Sequence, residues 1–541
     1  MVSAARPAAR FLLTTLGIVV IGVLAAVATD VAVTVLTPVK LAFILGGVAL
    51  LIPTMVVKDP TAYWLFLLVL SIPFDISKLL SLWLVDPRTL VDLYGQPASG
   101  TTAVELYLTD VVLIAMLLPW LARICLRREK LYFPKIAYLF VFYLAWALLV
   151  SLINAESFYL AIFELYRQAL YFLSFVYLIN NVATRLQFRS AIWAVFFGLI
   201  IGAGTVIIFF ELGIGTESSI FARLHDQAVT TISQGQAYKP GAKTSYNDNL
   251  TLYGTGRRFG PADRGQGSEI KRSQGMFRHP AIPASLCGLT LPIVLAYLIA
   301  ARNNRDRTLC FTVFVLGITA LVLTFSRAGA IGLTVGTLVF FAVGGRSGLI
   351  SRRVLIPGIV ALAMAFAVSI PLLLVYFGAR PETFYMRLNL YEAALQGYSQ
   401  HPILGVGLNN ATGAMKAGRQ VLIDIGIPMP RTESADSFYL VLLTEIGPLG
   451  FILFFLFFGK IVMIALRAMR EVATDLKPLL VGIVAGLASL ATQGLADDPL
   501  AGHAVSGTLW LFAALIVAIA RYIQAETRSS STGEHAAPIG P

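Results

Sequence analysis

LCFTVFVLGITALVLTFSRAGAIGLTVGTLVFFAVG, residues 309–344, holds a single charged side chain, Arg327. At 1.5 Å per residue, about 36 residues make two helices of roughly 17, each able to cross the hydrocarbon of a bilayer. Arginines flank the stretch on both sides, with Arg302, Arg305 and Arg307 before it and Arg346, Arg352 and Arg353 after it. Basic loops stay cytoplasmic, so the chain must cross an even number of times between them. The stretch reads as a helical hairpin whose turn is Ser326-Arg327. Arg327 then sits at the outward tip rather than in mid-membrane, where a guanidinium is costly. An arginine at a tight outward turn is a functional candidate; the competing explanation is a snorkelling side chain on lipid phosphate.

The same logic extends along the chain. Of its 541 residues 13% are charged and 57% hydrophobic, and mean hydropathy is +0.79, whereas a soluble protein carries about 25% charged residues. Apolar spans fall near 11–29, 40–57, 61–84, 104–121, 134–153, 158–182, 190–212, 280–301, 309–325, 328–344, 354–377, 436–458, 479–495 and 504–521. They predict an all-α polytopic membrane protein of about fourteen transmembrane helices. The basic clusters from Arg123, Arg185, Arg302, Arg346 and Lys460 each follow an even-numbered span. With the N-terminus inside, every cluster and both termini are cytoplasmic. That rule also accounts for the formal charge of +12 without nucleic acid. Arg6 and Arg10 before LLTTLGIVVIGVLAAVA mimic a signal peptide, but more spans follow, and the segment reads as an uncleaved first helix. Cys125, Cys287 and Cys310 lie in or beside apolar spans, which predicts no disulfide framework.

The chain divides accordingly. Residues 1–212 are N-terminal transmembrane helices, 213–279 an outward loop, and 280–377 helices that include the Ser326-Arg327 tip. Residues 378–435 form a second outward loop, 436–523 the last helices, and 524–541 a Ser-rich cytoplasmic tail expected to be disordered. In the second loop Phe384, Leu388, Tyr391, Leu395 and Tyr398 recur at i, i+4, i+7, i+11 and i+14. That is one apolar face of a helix, suited to lie on the membrane surface over the bundle. Pro402, Gly405 and Gly407 in HPILGVGLNN (401–410) then end it.

Arginines gather in these outward loops despite the rule: Arg257, Arg258, Arg264, Arg272, Arg278, Arg327, Arg380, Arg387, Arg419 and Arg431. Their planar fork suits phosphate and pyrophosphate oxygens, so the pattern suggests a ligand with a phosphate head and a lipid tail. Scattered surface arginines are the alternative, since long loops cross regardless of charge. The outward histidines His225, His279, His401 and His503 lack metal-ligand spacing. Asp497-Asp498 in GLADDPLAGH reads as a helix cap ahead of a cation site. A P-loop motif is absent, so ATP is not the energy source.

Four stretches resemble the O-antigen ligase and polymerase superfamily. RSQGMFRHP (272–280) resembles its R-x-x-G-x-F-x-x-P helix start, with Ala281 where asparagine is frequent. LTFSRAGAIG (323–332) resembles its Ser-Arg-Gly/Ala hairpin turn. RLNLYEAALQGYSQHPILGVGLNN (387–410) resembles its R-x-x-x-[WY]-x-x-A-L…P-x-x-G-x-G loop. ADSFYLVLLTEIGPLGFILFF (435–455) resembles its H/D-[NS]-x-[YF]-L…E-x-G-x-x-G helix start. The resemblance covers about 272–458, and the first 270 residues match by hydropathy alone.

It implies a GT-C-like helical fold and a glycosyltransferase that needs no metal or other cofactor. The donor would be a glycan on undecaprenyl pyrophosphate at the outer face of a bacterial inner membrane, among membrane lipid and other polysaccharide-assembly proteins. Arg327, Arg387 and Asp436 would be catalytic, and Arg272, Arg278, His279, Ser326 and Glu445 would bind substrate. Arginines can meet the leaving pyrophosphate's charge, and Asp436 can accept a hydroxyl proton, cap a helix, or both. Ligases usually carry histidine there, so Asp436 favours a polymerase of lipid-linked repeat units over a ligase. A lipid-linked oligosaccharide flippase or other secondary transporter is the reading from another class. Transporters tend to show repeats and helices broken at mid-membrane, but here charges lie in loops and no repeat stands out.

Overall fold

The computed structural model describes residues 57, 59–74, 77–79, 105–126, 129–211, 258–259, 270–271, 273–277, 279–351, 353–360, 382–424, 437–472 and 475–532. Its helices are α1 (Pro60–Ser71), α2 (Leu108–Cys125), α3 (Ala137–Asn154), α4 (Phe158–Asn181), α5 (Arg185–Glu211), α6 (Ala281–Ala300) and α7 (Asn304–Leu323). They continue with α8 (Arg327–Arg346), α9 (Glu382–Ser399), α10 (Ala411–Asp424), α11 (Phe438–Glu471), α12 (Lys477–Gln493) and α13 (His503–Thr532). Among the described residues nine helices are long and apolar enough to cross a membrane, and α1 and α12 are shorter apolar helices. The protein is a helical, polytopic membrane protein. Strand pairing is confined, among the described residues, to two short antiparallel ladders, β1 (Ser77–Leu79) with β2 (Glu105–Tyr107) and β3 (Arg258–Phe259) with β4 (Ile270–Lys271).

Several spans differ from their sequence expectation. The span at 61–84 is not one helix: α1 stops at Ser71, just before Pro73, whose missing N–H cannot continue the helical ladder. The chain then enters β1, and its pairing with β2 delays the start of α2 to Leu108. Helix α13 continues to Thr532 through the polar run that was expected to begin a disordered tail at Gln524. Glu526 anchors it by pairing with Arg185 at 3.0 Å. The spans at 11–29 and 40–56, most of 354–377, and residues 533–541 lie outside the described residues.

Helices α6 and α13 form the centre, with 78% and 89% of their apolar stretches buried against 28% for α7 and α11. α7 packs on α6 and α5, whereas α8 lies along α12 and also touches α6. The hairpin is therefore splayed rather than zipped. Gly332 and Gly336 let α8 approach α12 until an added Cβ would sit 2.7 Å from the Ser489 or Ala485 carbonyl oxygen, the close packing that small residues permit in membranes. Where α3, α4, α11 and α13 meet, aromatic rings fill the core, Phe140 edge-on to Trp510 at 4.5 Å.

The bundle has two unlike ends. At one, Arg185 meets Tyr522, Glu526 and Asp475, Arg521 donates to the Ile179 carbonyl, and Lys477 donates to the Ser347 carbonyl. The α6–α7 turn with Arg302, Arg305 and Arg307 lies at this end, as does Arg346. The four family-like stretches belong to the other end.

Candidate active site

The tip between α7 and α8 is built by local chemistry. Phe325 adopts φ 49, left-handed for a non-glycine residue, a conformation that costs energy and marks constrained sites. It reverses the chain so that Ser326 becomes the N-cap of α8, its Oγ accepting from the Gly329 N–H at 3.1 Å while its own N–H donates to Thr324 Oγ1. Ser326 is buried and committed to this cap. Arg327, the first residue of α8, is half-buried at the helix N-terminus, where unsatisfied N–H groups favour an anion.

The segment after β4 docks onto this tip. The Ser273 N–H donates to the Leu323 carbonyl at 3.0 Å, and its Oγ donates to the Val206 carbonyl at 2.7 Å. Gly275, at φ 59, passes close to Thr205 and Val206. Phe277 is buried, and His279 accepts from the Ala281 N–H through Nδ1 at 3.2 Å, securing the start of α6.

The remaining two stretches fold against each other. Helix α11 is broken at Gly447 (φ 64, ψ −176), followed by Pro448. Pro448 has no N–H to give the Thr444 carbonyl, and the Val406 N–H takes that carbonyl instead, at 2.9 Å. The Gly407 N–H donates to the Glu445 carbonyl and Trp146 Nε1 to the Ile446 carbonyl, both at 2.9 Å. Gly405, at φ 84, lies so near that an added Cβ would strike the Glu445 carbonyl. Side chains of α3 and the following turn hold the loop. Asn154 donates to the Gly405 carbonyl, Ser151 Oγ accepts from the Leu408 N–H, and Asn410 exchanges hydrogen bonds with the Ser157 backbone. The Glu445 carboxylate, buried, accepts from the N–H groups of Asn409 and Ala411 at the start of α10.

Helix α9 carries Arg387, half-buried, and Tyr391 ties it to the bundle by donating to the Leu495 carbonyl at 2.9 Å. Its packing face is Leu390, Ala393, Ala394 and Gly397, turned to α10. Leu388 and Leu395 of the apolar stripe remain exposed. Helix α11 begins beside the α12–α13 turn, with the Phe438 N–H shared between the Gly494 and Asp497 carbonyls at 3.0 Å each.

A polar cluster that sequence reading passed over lies next to this turn. On α4, Arg167 pairs with Glu164 at 2.7 Å with side-chain exposures of 13% and 9%, and Gln168 donates to the same carboxylate. Arg167 Nη1 reaches the Ala501 carbonyl at 3.4 Å. Tyr171 Oη and His503 Nδ1 are 2.6 Å apart, and the His503 ring stacks on Tyr107 at 3.7 Å. Glu164 and Arg167 both lie within an apolar span, where an ionisable residue marks function by default; that signal was present in ELYRQ (164–168).

The structure thus gathers Arg327, Ser326, His279, Arg387 and Glu445 at one end of the bundle. Asp436, Arg272 and Arg278 lie outside the described residues, though Ser437, beside Asp436, is buried with its Oγ 3.4 Å from the Gly494 carbonyl. No cluster of three or more His, Cys, Asp or Glu side chains suited to a metal ion occurs among the described residues.

Residues 312–455 match the family model described as O-antigen ligase. The matched stretch runs from α7 into α11, so it contains the tip, α9, the glycine loop and the broken helix. Arg167 and the Asp497–Asp498 turn fall outside it. No curated protein matches the chain.

Proposed function

We propose that this protein, through its O-antigen ligase region, transfers glycans from undecaprenyl pyrophosphate to an acceptor hydroxyl, polymerising lipid-linked repeat units at the outer face of the inner membrane. The observation that carries the reading is that the tip, α9, the glycine loop and the broken helix all stand at the bundle end opposite the basic loops. By the positive-inside rule the basic end is cytoplasmic, so the gathered end faces outward, where lipid-linked donors are presented.

In this reading Arg327 and Arg387, with Arg272 and Arg278, meet the charge of the departing pyrophosphate. Preorganised cations stabilise a leaving anion without a metal, and removing one such group costs on the order of 10²–10³ in rate. The acceptor hydroxyl oxygen attacks the anomeric carbon, its proton passing to the Asp436 carboxylate. The bond from that carbon to the pyrophosphate oxygen breaks, and the electron pair leaves with the pyrophosphate, inverting the anomeric centre. Glu445 and His279 hold the frame in which substrate binds.

Transfer to a lipid or protein acceptor is the second reading, favoured by the ligase description of the matched family. A deletion strain separates the two. A polymerase defect leaves single lipid-linked repeat units, whereas a ligase defect leaves long polymer on undecaprenyl pyrophosphate.

A further inference from the structure

Helix α1 is too short to cross the bilayer. Its twelve residues reach about 18 Å against about 30 Å of hydrocarbon, and the chain leaves the helix at Ile72-Pro73. Beyond that end the bundle keeps a cavity that Pro73 and Phe277 both line. Each ring lies against a glycine of α5. An added Cβ would sit 2.9 Å from Pro73 Cγ at Gly198 and 3.3 Å from Phe277 Cζ at Gly202. Ala194 and Ala203 continue this wall, and Leu286 and Thr290 of α6 with Thr508 of α13 also line the cavity. The space outside protein atoms is about 500 Å³, its open mouth included.

The cavity lies in the outer half of the membrane, beneath the tip. Gly198 to Ala203 run from the middle of α5 outward, since α5 starts at the basic end with Arg185, and Leu286 and Thr290 belong to the outer half of α6. Ala320, in the last turn of α7, lines it too. At the start of α8, Gly329 packs on Ala284, which stands between the lining residues Pro283 and Leu286. Arg327, at the first position of α8, thus stands over an apolar slot.

The lining decides the occupant. Among the described residues no charged side chain lines the cavity, and its two threonine hydroxyls are committed to their own helices. Thr290 Oγ1 donates to the Leu286 carbonyl at 2.6 Å and Thr508 Oγ1 to the Ala504 carbonyl at 2.7 Å. A buried water needs two or more polar partners, which this lining does not offer. An empty apolar space forfeits the dispersion contacts of its walls, so a hydrocarbon chain fits it best. A guanidinium over an apolar slot matches a lipid whose chain is bonded directly to its anionic head. A polyprenyl pyrophosphate is built that way, whereas a phospholipid interposes glycerol between phosphate and chains. We propose that the cavity seats the isoprenoid units next to the pyrophosphate of the donor lipid, fixing the head beneath Arg327. This rests on the transferase reading above and deepens it. The cavity takes a short length of chain, and the remainder runs in the bilayer.

The test titrates the full protein in detergent with three probes: inorganic pyrophosphate, farnesyl pyrophosphate and dioctanoyl phosphatidylglycerol. Partition of a probe into micelles is the same for every variant, so wild type and variant compare directly. Ala203→Leu and Thr290→Leu fill the cavity from two walls. Each should weaken farnesyl pyrophosphate about tenfold, because the chain must then overpack the site. Inorganic pyrophosphate and phosphatidylglycerol should bind as before. The thermal midpoint should hold or rise, since leucine fills a void. A second arm needs no cavity variant. With Cys125 and Cys310 replaced by serine, Cys287, which lines the cavity, should react with methyl methanethiosulfonate. Farnesyl pyrophosphate should slow that reaction, and inorganic pyrophosphate should not. Unchanged farnesyl pyrophosphate affinity in both variants, a Cys287 that is not protected, or one that never reacts, overturns the proposal. An equal loss of phosphatidylglycerol binding overturns it too, by giving the cavity to bulk lipid. A protein that passes both arms but never lengthens lipid-linked units loses the transferase reading and keeps the isoprenoid cavity.

Discussion

The backbone N–H of Gly407 donates to the carbonyl of Glu445 at 2.9 Å, so the glycine loop and the broken helix are one folded unit. The break makes this possible. In an unbroken helix the carbonyls of residues 444–446 would be occupied by N–H groups four residues on. Pro448 and the left-handed Gly447 release them, and Val406, Gly407 and Trp146 take them up.

The break predicts an unequal pair of variants. Gly447 at φ 64, ψ −176 occupies a region open essentially to glycine alone, and an added Cβ would meet the Ile403 carbonyl. Gly447→Ala should destabilise the protein by about 1–3 kcal/mol or more, seen as a lower thermal midpoint by tryptophan fluorescence in nanodiscs. Pro448→Ala, which adds an N–H without demanding a new φ, should be clearly milder. Equal midpoints for the two variants would mean that the break is not set by Gly447.

For the tip, Arg327→Ala should abolish glycan transfer while the protein still inserts and accumulates. Arg327→Lys should rescue poorly, because an ammonium keeps the charge but loses the two-pronged grip on pyrophosphate. Polymer length on gels of extracted glycan is the readout. Full-length polymer from the alanine variant would return Arg327 to a lipid-contacting role.

Sidedness is checked with cysteines in a background where Cys125, which is exposed, is replaced by serine. Cysteine at Lys416, exposed on α10, should react with an impermeant thiol reagent added outside intact inner-membrane spheroplasts. Cysteine at Ser351, exposed at the basic end, should react only after lysis. The opposite pattern would place the candidate site in the cytoplasm and remove every role argued from an outward face.

Asp436→Asn tests the base. Ser437, and not Asp436, stands at the N-cap of α11, so the fold should hold while transfer falls by on the order of 10²–10⁴, the usual contribution of a general base. Near-normal transfer would remove Asp436 from the base role.

Hydropathy and charge parity were enough to read a membrane-spanning helical bundle, because a helix that satisfies its own backbone in lipid must be long and apolar wherever it occurs. The tip at Ser326-Arg327 was legible for the same reason: two arginine clusters on one side force a turn between them. The glycine loop and the helix start at 436 were legible as separate stretches. That they share hydrogen bonds was not, because such pairing depends on which carbonyls Pro448 and Gly447 set free and on α3 bringing Trp146, Ser151 and Asn154 beside them. Glu164 and Arg167 were legible as charges inside an apolar span, but what they face was not. Their meaning comes from burial next to Asp498, more than three hundred residues away in the chain, and electrostatics in a low-dielectric interior depends on distance in space rather than along the sequence.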